Sequence, residues 1–141
     1  MTPRILLLAT GLALAAGPPA RAHDDHGTVT PLFGEAIPNV PGKSLRAVLV
    51  EYPPGAASPP HRHAASAFIY ATVLEGAVRS QVDDGPARTY RAGEGWSEAP
   101  GAHHVVSANA SPDRPARLLA VFVVDSAEQV LTIPDSAETR R

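Results

Sequence analysis

The sequence predicts an all-β domain, a sandwich or barrel of short strands. Turn-formers are frequent and scattered, with 15 Pro and 11 Gly among 141 residues. Apolar residues fall in short runs between those turns, and no convincing long helix interrupts them. The length suits one compact domain, and the ordinary apolar fraction of 44% argues against disorder along the whole chain.

The amino terminus reads as an export signal. Arg4 supplies a positive charge, Ile5 to Ala16 form an apolar run, and Ala20-Arg21-Ala22 offers small residues to a signal peptidase. The run is short for a membrane-spanning helix, which needs about 20 residues. Cleavage after Ala22 is expected, giving a periplasmic or secreted protein that starts at His23 and has no membrane partner. Removing residues 1–22 leaves 10 basic and 14 acidic side chains.

Residues 23–43 read as a polar arm or edge strand, with one strand-like piece near Thr28 to Phe33. Ser44 to Tyr52 is expected as a strand buried on both faces, ended by Pro53-Pro54-Gly55. Strands are then expected at Phe68 to Leu74, Ala77 to Val82, Ala87 to Arg91, Trp96 to Glu98 and His103 to Ser107. Glu75-Gly76, Asp83-Asp84-Gly85, Gly93 with Gly95, and Pro100-Gly101 supply the turns between them. Arg117 to Asp125 is the most apolar strand, Val130 to Ile133 adds an edge, and residues 134–141 read as a frayed tail. That amounts to eight or so strands, with the main domain over residues 44–133.

A formal net charge of -2 and the lack of any basic stripe argue against nucleic acid as a partner. With no cysteine, thiolate chemistry and disulfides are excluded, so a metal site must use His, Asp or Glu. The six histidines fall into three pairs: His23 and His26, His61 and His63, His103 and His104. On a strand, the spacing of His61 and His63 puts both imidazoles on one face, close enough to chelate one ion. His103 and His104 must face opposite ways. His23 and His26 fit an unstructured arm better than a copper site at a free amino terminus.

Gly55, five residues, His61-Arg62-His63, and later Tyr70 and Val73-Leu74-Glu75-Gly76, resemble the first motif of the cupin superfamily. That motif runs Gly, five residues, His-x-His, three or four residues, Glu, six residues, Gly. Gly93, Pro100-Gly101, His104 and Asn109 resemble the second: Gly, five residues, Pro-x-Gly, two residues, His, three residues, Asn. The resemblance spans roughly residues 44–125. It implies a single-domain antiparallel jelly-roll β-barrel, with His61, His63 and His104 holding one divalent transition metal ion (Fe, Mn, Ni, Cu or Zn). The motif spacing selects His104 and leaves His103 exposed or on the rim.

The sequence departs from the pattern at three places. The motif's Glu is missing, its place falling on Ala67, Phe68 or Ile69. Ala99 stands where the second motif has Pro, and Asn109 comes one residue late. Glu98 is the candidate to make good the first loss, as a substitute ligand or as a catalytic carboxylate that orients a histidine or moves a proton. The alternative is a rim carboxylate facing water. Tyr70 and Gln81 are lesser candidates for the pocket wall, and Trp96 and Phe122 read as core or wall.

The function expected is a metalloenzyme of the dioxygenase type acting on a small organic molecule, since three neutral histidines leave coordination positions open. The alternative is a non-catalytic ligand- or metal-binding module, because fold alone does not decide function. An isomerase is less favoured, for want of an acid–base pair. Pairing of two copies through an exposed edge strand is a further expectation from the resemblance.

Overall fold

A computed structural model describes residues 26–135; the proposed signal peptide, His23 and residues 136–141 lie outside the described residues. Eleven strands make up the described chain: β1 (Thr28–Ala36), β2 (Lys43–Tyr52), β3 (Ala57–Ser58), β4 (His61–His63), β5 (Phe68–Glu75) and β6 (Ala77–Val82), then β7 (Arg88–Arg91), β8 (Gly95–Glu98), β9 (His103–Asn109), β10 (Ala116–Asp125) and β11 (Thr132–Pro134). One sheet has the order β1-β2-β10-β5-β8. The other runs β11-β4-β9-β6-β7, with β3 paired to β9. Every pairing is antiparallel. The expected all-β jelly roll is therefore present, as two sheets rather than one closed barrel.

The core forms because β10 alternates. Ala116, Leu118, Ala120, Phe122 and Val124 are buried, while Arg117, Leu119, Val121 and Val123 are only half-buried. Partners on both flanks fix the register of β10, with Ala120 opposite Val48 of β2 and opposite Ala71 of β5. Ile69, Val73, Val78 and Val124 are almost wholly buried, each worth about 1.5–3 kcal/mol against exposure.

Several details differ from the sequence reading. Strand β2 buries only Ser44, Val48 and Tyr52, so its outer face is partly open. Strand β1 runs on to Ala36 and is exposed along both faces, because nothing in the described chain covers this edge. Strands β3 and β4 are too short, at 2 and 3 residues, to show a period. The expected tail is ordered at its start: Pro134 pairs with His61, and the Asp135 carboxylate bonds His103 Nε2 at 2.8 Å.

Two motif departures have local causes. Ala99 to Ala102 form a turn closed by the Ala102 N–H on the Ala99 carbonyl at 3.0 Å. Pro100 takes the second position and Gly101, at φ +74°, the third, which is how a type II turn uses those residues. On β9, His104 faces Val82 whereas Val106 faces Gln81. One extra residue, Val105, bulges there and carries Asn109 one place further along. The Asn109 amide clamps the carbonyls of Pro53 at 3.0 Å and Arg114 at 2.7 Å, binding two loops together.

Gly76 turns β5 into β6 at φ +69°, and a Cβ there would lie 2.5 Å from the Pro115 carbonyl oxygen. Gly76→Ala therefore combines left-handed strain with a backbone clash, and about 2–4 kcal/mol of stability should be lost. Urea denaturation followed by circular dichroism measures it, as a lower midpoint at unchanged slope.

Candidate metal centre

Two facts about β-strands bring three histidines together. His61 and His104 are direct partners across β4 and β9, so both project from the same face. His63, two residues further on, shares that face. Ring centroids of His61 and His63 lie 4.8 Å apart, His61 and His104 5.2 Å, and His63 and His104 5.9 Å. One nitrogen from each lies within 4.8 Å of the others. Metal–nitrogen bonds of about 2.0–2.1 Å hold bound nitrogens some 3–3.5 Å apart, so the rings would have to draw together on an ion.

The neighbours of each ring decide which nitrogen is free. His61 Nδ1–H donates to the Pro59 carbonyl at 2.8 Å, leaving the Nε2 lone pair available. His104 Nε2 pairs with the Ser80 hydroxyl at 2.9 Å, leaving Nδ1 toward the centre. Both His63 ring nitrogens are buried without a hydrogen-bond partner. Burial holds His61 below its ordinary value, and pushes His104 down to about 4 despite the opposing charge of Glu98. Both are neutral at pH 7, the state a metal ion requires.

Glu98 completes the cluster. It is buried on β8 and accepts the Trp96 indole N–H at 3.0 Å. Its other oxygen approaches His63 Nε2 at 2.9 Å, and its first lies 3.5 Å from His104 Nδ1. The His63 approach is close but misaligned, so Glu98 Oε2 also lacks a true hydrogen bond. Burial raises the carboxyl's pKa, but His63 and His104 outweigh it and hold the group below its ordinary value. Among the described residues four buried side-chain polar atoms lack a hydrogen bond, and three are on His63 and Glu98. Unsatisfied atoms cost about 1–3 kcal/mol each. Their convergence beside two further free imidazole nitrogens fits a cation bound among them.

The other sequence candidates separate clearly. Glu98 does not face water, which removes the rim alternative. His103 points away from the cluster to Asp135, and His26 is exposed. Tyr70 is half exposed on the outer face of β5, and neither it nor Gln81 lines the pocket. Trp96 and Phe122 do line it. Sequence reading missed Ser80, the Pro59 carbonyl and Tyr52. Ser80 lies two residues from Val78 on β6 and Tyr52 two from Val50 on β2, on the same face in each case, so period two could have turned both inward.

The histidines open on a cavity of about 280 Å³ between the sheets. Val48, Ile69, Ala71, Leu118, Ala120 and Phe122 give it an apolar floor. The Tyr52 hydroxyl is tied to Ser58 at 2.7 Å and Ser107 at 2.8 Å. Burial raises its pKa against those hydrogen bonds, so it stays protonated.

Fold and cluster together define a jelly-roll protein with an internal three-histidine site. The chain belongs to the cupin domain family, whose model matches residues 48–122. It is similar in fold to an oxalate oxidase solved in complex with glycolate, at 20% identity and a TM-score of 0.60. That match covers 79% of this chain but 56% of the oxidase, so the chain spans little more than half its length. A double-stranded β-helix protein from Klebsiella pneumoniae matches over 79% of this chain and 88% of its own, at 19% identity and a TM-score of 0.60. A cupin 2 conserved barrel protein from Rhodopseudomonas palustris matches over 87% and 76%, at 19% and 0.59. No curated protein matches the sequence.

The metal-free protein should be acid-sensitive through this cluster. Unfolded, His104 takes up its proton near 6.5; folded, near 4. Between those values the unfolded chain binds more protons, so stability falls as the pH falls, by up to about 3 kcal/mol from this group. The depressed Glu98 acts in the same direction below its ordinary value of 4.5. Thermal melts of EDTA-treated protein from pH 7 to 4 should show a falling Tm, and a flatter profile for His104→Gln.

Proposed function

We propose that the chain is an exported metalloprotein binding one divalent transition ion on His61, His63 and His104, and a dioxygenase-type enzyme for a small organic substrate. The observation that carries this reading is the meeting of free imidazole nitrogens with unpaired buried atoms at the cavity wall. When bound, the ion supplies Lewis acidity and open positions for a substrate donor atom and dioxygen.

The chain's own residues do the rest. The Pro59 carbonyl and the Ser80 hydroxyl fix two ring orientations. The apolar floor excludes water from the substrate. Glu98, ionised and aimed between His63 and His104, takes up a proton at Oε2 from an acidic substrate hydroxyl. The indole of Trp96 holds the other oxygen in place.

A second reading has its own support. Glu98 lies near enough to two of the histidines to act as a fourth protein ligand. A full protein ligand set suits metal storage or ligand capture better than turnover.

Elemental analysis and oxygen uptake with a panel of phenols and small organic acids separate the readings. The enzyme should bind one ion and consume oxygen. His61→Ala should lose at least tenfold in metal affinity and all uptake. Glu98→Gln should keep the ion but lose about 10²–10⁴-fold in turnover, the usual worth of a positioned base. One bound ion with no oxygen consumed on any substrate would instead select the capture module.

Export and pairing are part of the same proposal. The composition of residues 1–22 supports export. The edge strand β1, with Val29, Leu32 and Phe33 exposed, supports a homodimer formed by adding one copy's edge to another's. The exported protein should begin at His23 on amino-terminal sequencing and elute from gel filtration at twice its chain mass. A retained Met1, or elution as a monomer, would overturn the corresponding half.

A further inference from the structure

The cavity floor has a shape that the metal cluster does not explain. Four strands contribute one row across the first sheet: Val48 on β2, Ala120 on β10, Ala71 on β5 and Trp96 on β8, each directly opposite the next. All four are buried and line the cavity. The rows on either side are bulky, Phe122 opposite Ile69 and Leu118 opposite Val73. Two facing alanines between larger rows make a trough two strands wide, roughly 10 Å across. Its ends are the indole of Trp96 and the side chain of Val48, and the histidines of β4 and β9 face it from the other sheet.

The charge of the cavity is equally specific. Among the described residues no Lys or Arg lines it, and the one acidic side chain that does is Glu98. The Tyr52 hydroxyl bonds the hydroxyls of Ser58 and Ser107. A small dicarboxylate would find no Lys or Arg to pair with, and its second carboxylate would lose its water against walls of carbon. An apolar ring would find a seat lined by carbon.

We propose that the cavity takes an uncharged molecule the size of one six-membered ring, seated on Ala71 and Ala120 with a single hydroxyl turned toward the histidines, and discriminates against small dicarboxylates. The inference rests on reading the histidine cavity as the ligand site, and Ala71 and Ala120 are its specificity-determining residues.

Calorimetric titration of the full chain tests it, in EDTA-treated and Zn²⁺-loaded forms, with p-cresol, oxalate and glycolate as probes. Trp96 is the only tryptophan, so its emission reports occupancy of the trough. The expected result is p-cresol binding one-to-one to both forms, and at least tenfold tighter than either acid to the Zn²⁺ form. Ala120→Leu fills the trough and should weaken p-cresol at least tenfold. Val48→Ala lengthens it and should shift preference severalfold toward 2-naphthol, a second arm that stands even if the Leu variant does not fold. Equal or tighter binding of oxalate, no shift of Trp96 emission with p-cresol, or indifference of p-cresol to both variants would overturn the proposal. Failure of Zn²⁺ to bind while p-cresol still occupies the trough would overturn the metal reading and leave the ring seat supported.

Discussion

The register between β4 and β9 is the constraint on which the rest depends. His61 stands opposite His104 in that pair, and a slip by one residue would turn Arg62 and His103 inward instead. Strand β4 has 3 residues and cannot hold this register alone. The His63 N–H bonds the Ala102 carbonyl, the Gly101 N–H bonds the Ala64 carbonyl, and β11 pairs along the other edge of β4. The Pro100-Gly101 turn that begins β9 thus fixes where His104 falls. The chelating geometry is a consequence of backbone hydrogen bonds made outside the cavity.

The same logic accounts for the carboxylate. Glu98 lies directly opposite Ile69 across β5 and β8, and Ile69 is one of the positions where spacing would place the missing motif Glu. Residues opposite each other on an antiparallel pair have Cβ atoms about 4.5–5.5 Å apart on one face. Exchanging an acid on β5 for one on β8 therefore keeps a carboxylate at nearly the same level of the cavity. Burying an ionised group costs several kcal/mol unless it is paired. Trp96 pairs one oxygen, and the second faces His63 without satisfying it. The residual misfit falls where a cation would relieve it.

How much could be read beforehand follows from what each feature needs. Histidine spacing and Pro-Gly turns act locally, so the cluster and most strands were legible in the chain. Strand β10 was legible as the most apolar strand because its apolar run is long, and its place between β2 and β5 came only from the structure. Three kinds of feature were not legible. Strands β3 and β4 are too short for a period. The extra residue at Val105 shows only when β9 is laid against β6, so Asn109 looked misplaced. The burial of Glu98 depends on β8 lying beside β5, a pairing between segments far apart in sequence. Tyr70 misled for the opposite reason. It follows Ile69, which faces inward, so alternation sends it out to solvent.

The cavity between the sheets exists because β10 and β5 place alanine at central inward positions. Filling Ala71 and Ala120 with larger aliphatic residues would bury more carbon and stabilise the sandwich by the usual measure. Leaving them small sacrifices part of that gain, in a domain whose β1 edge already contributes little burial. The loss is confined to one row, and the bulky rows beside it still clamp the sheets together. Under the proposed function, the opening beneath three histidines and one carboxylate is where a ligand would enter. A ligand that fills the space the two alanines leave would restore part of that burial, so under this reading ligand binding and folding stability should be linked through this one row.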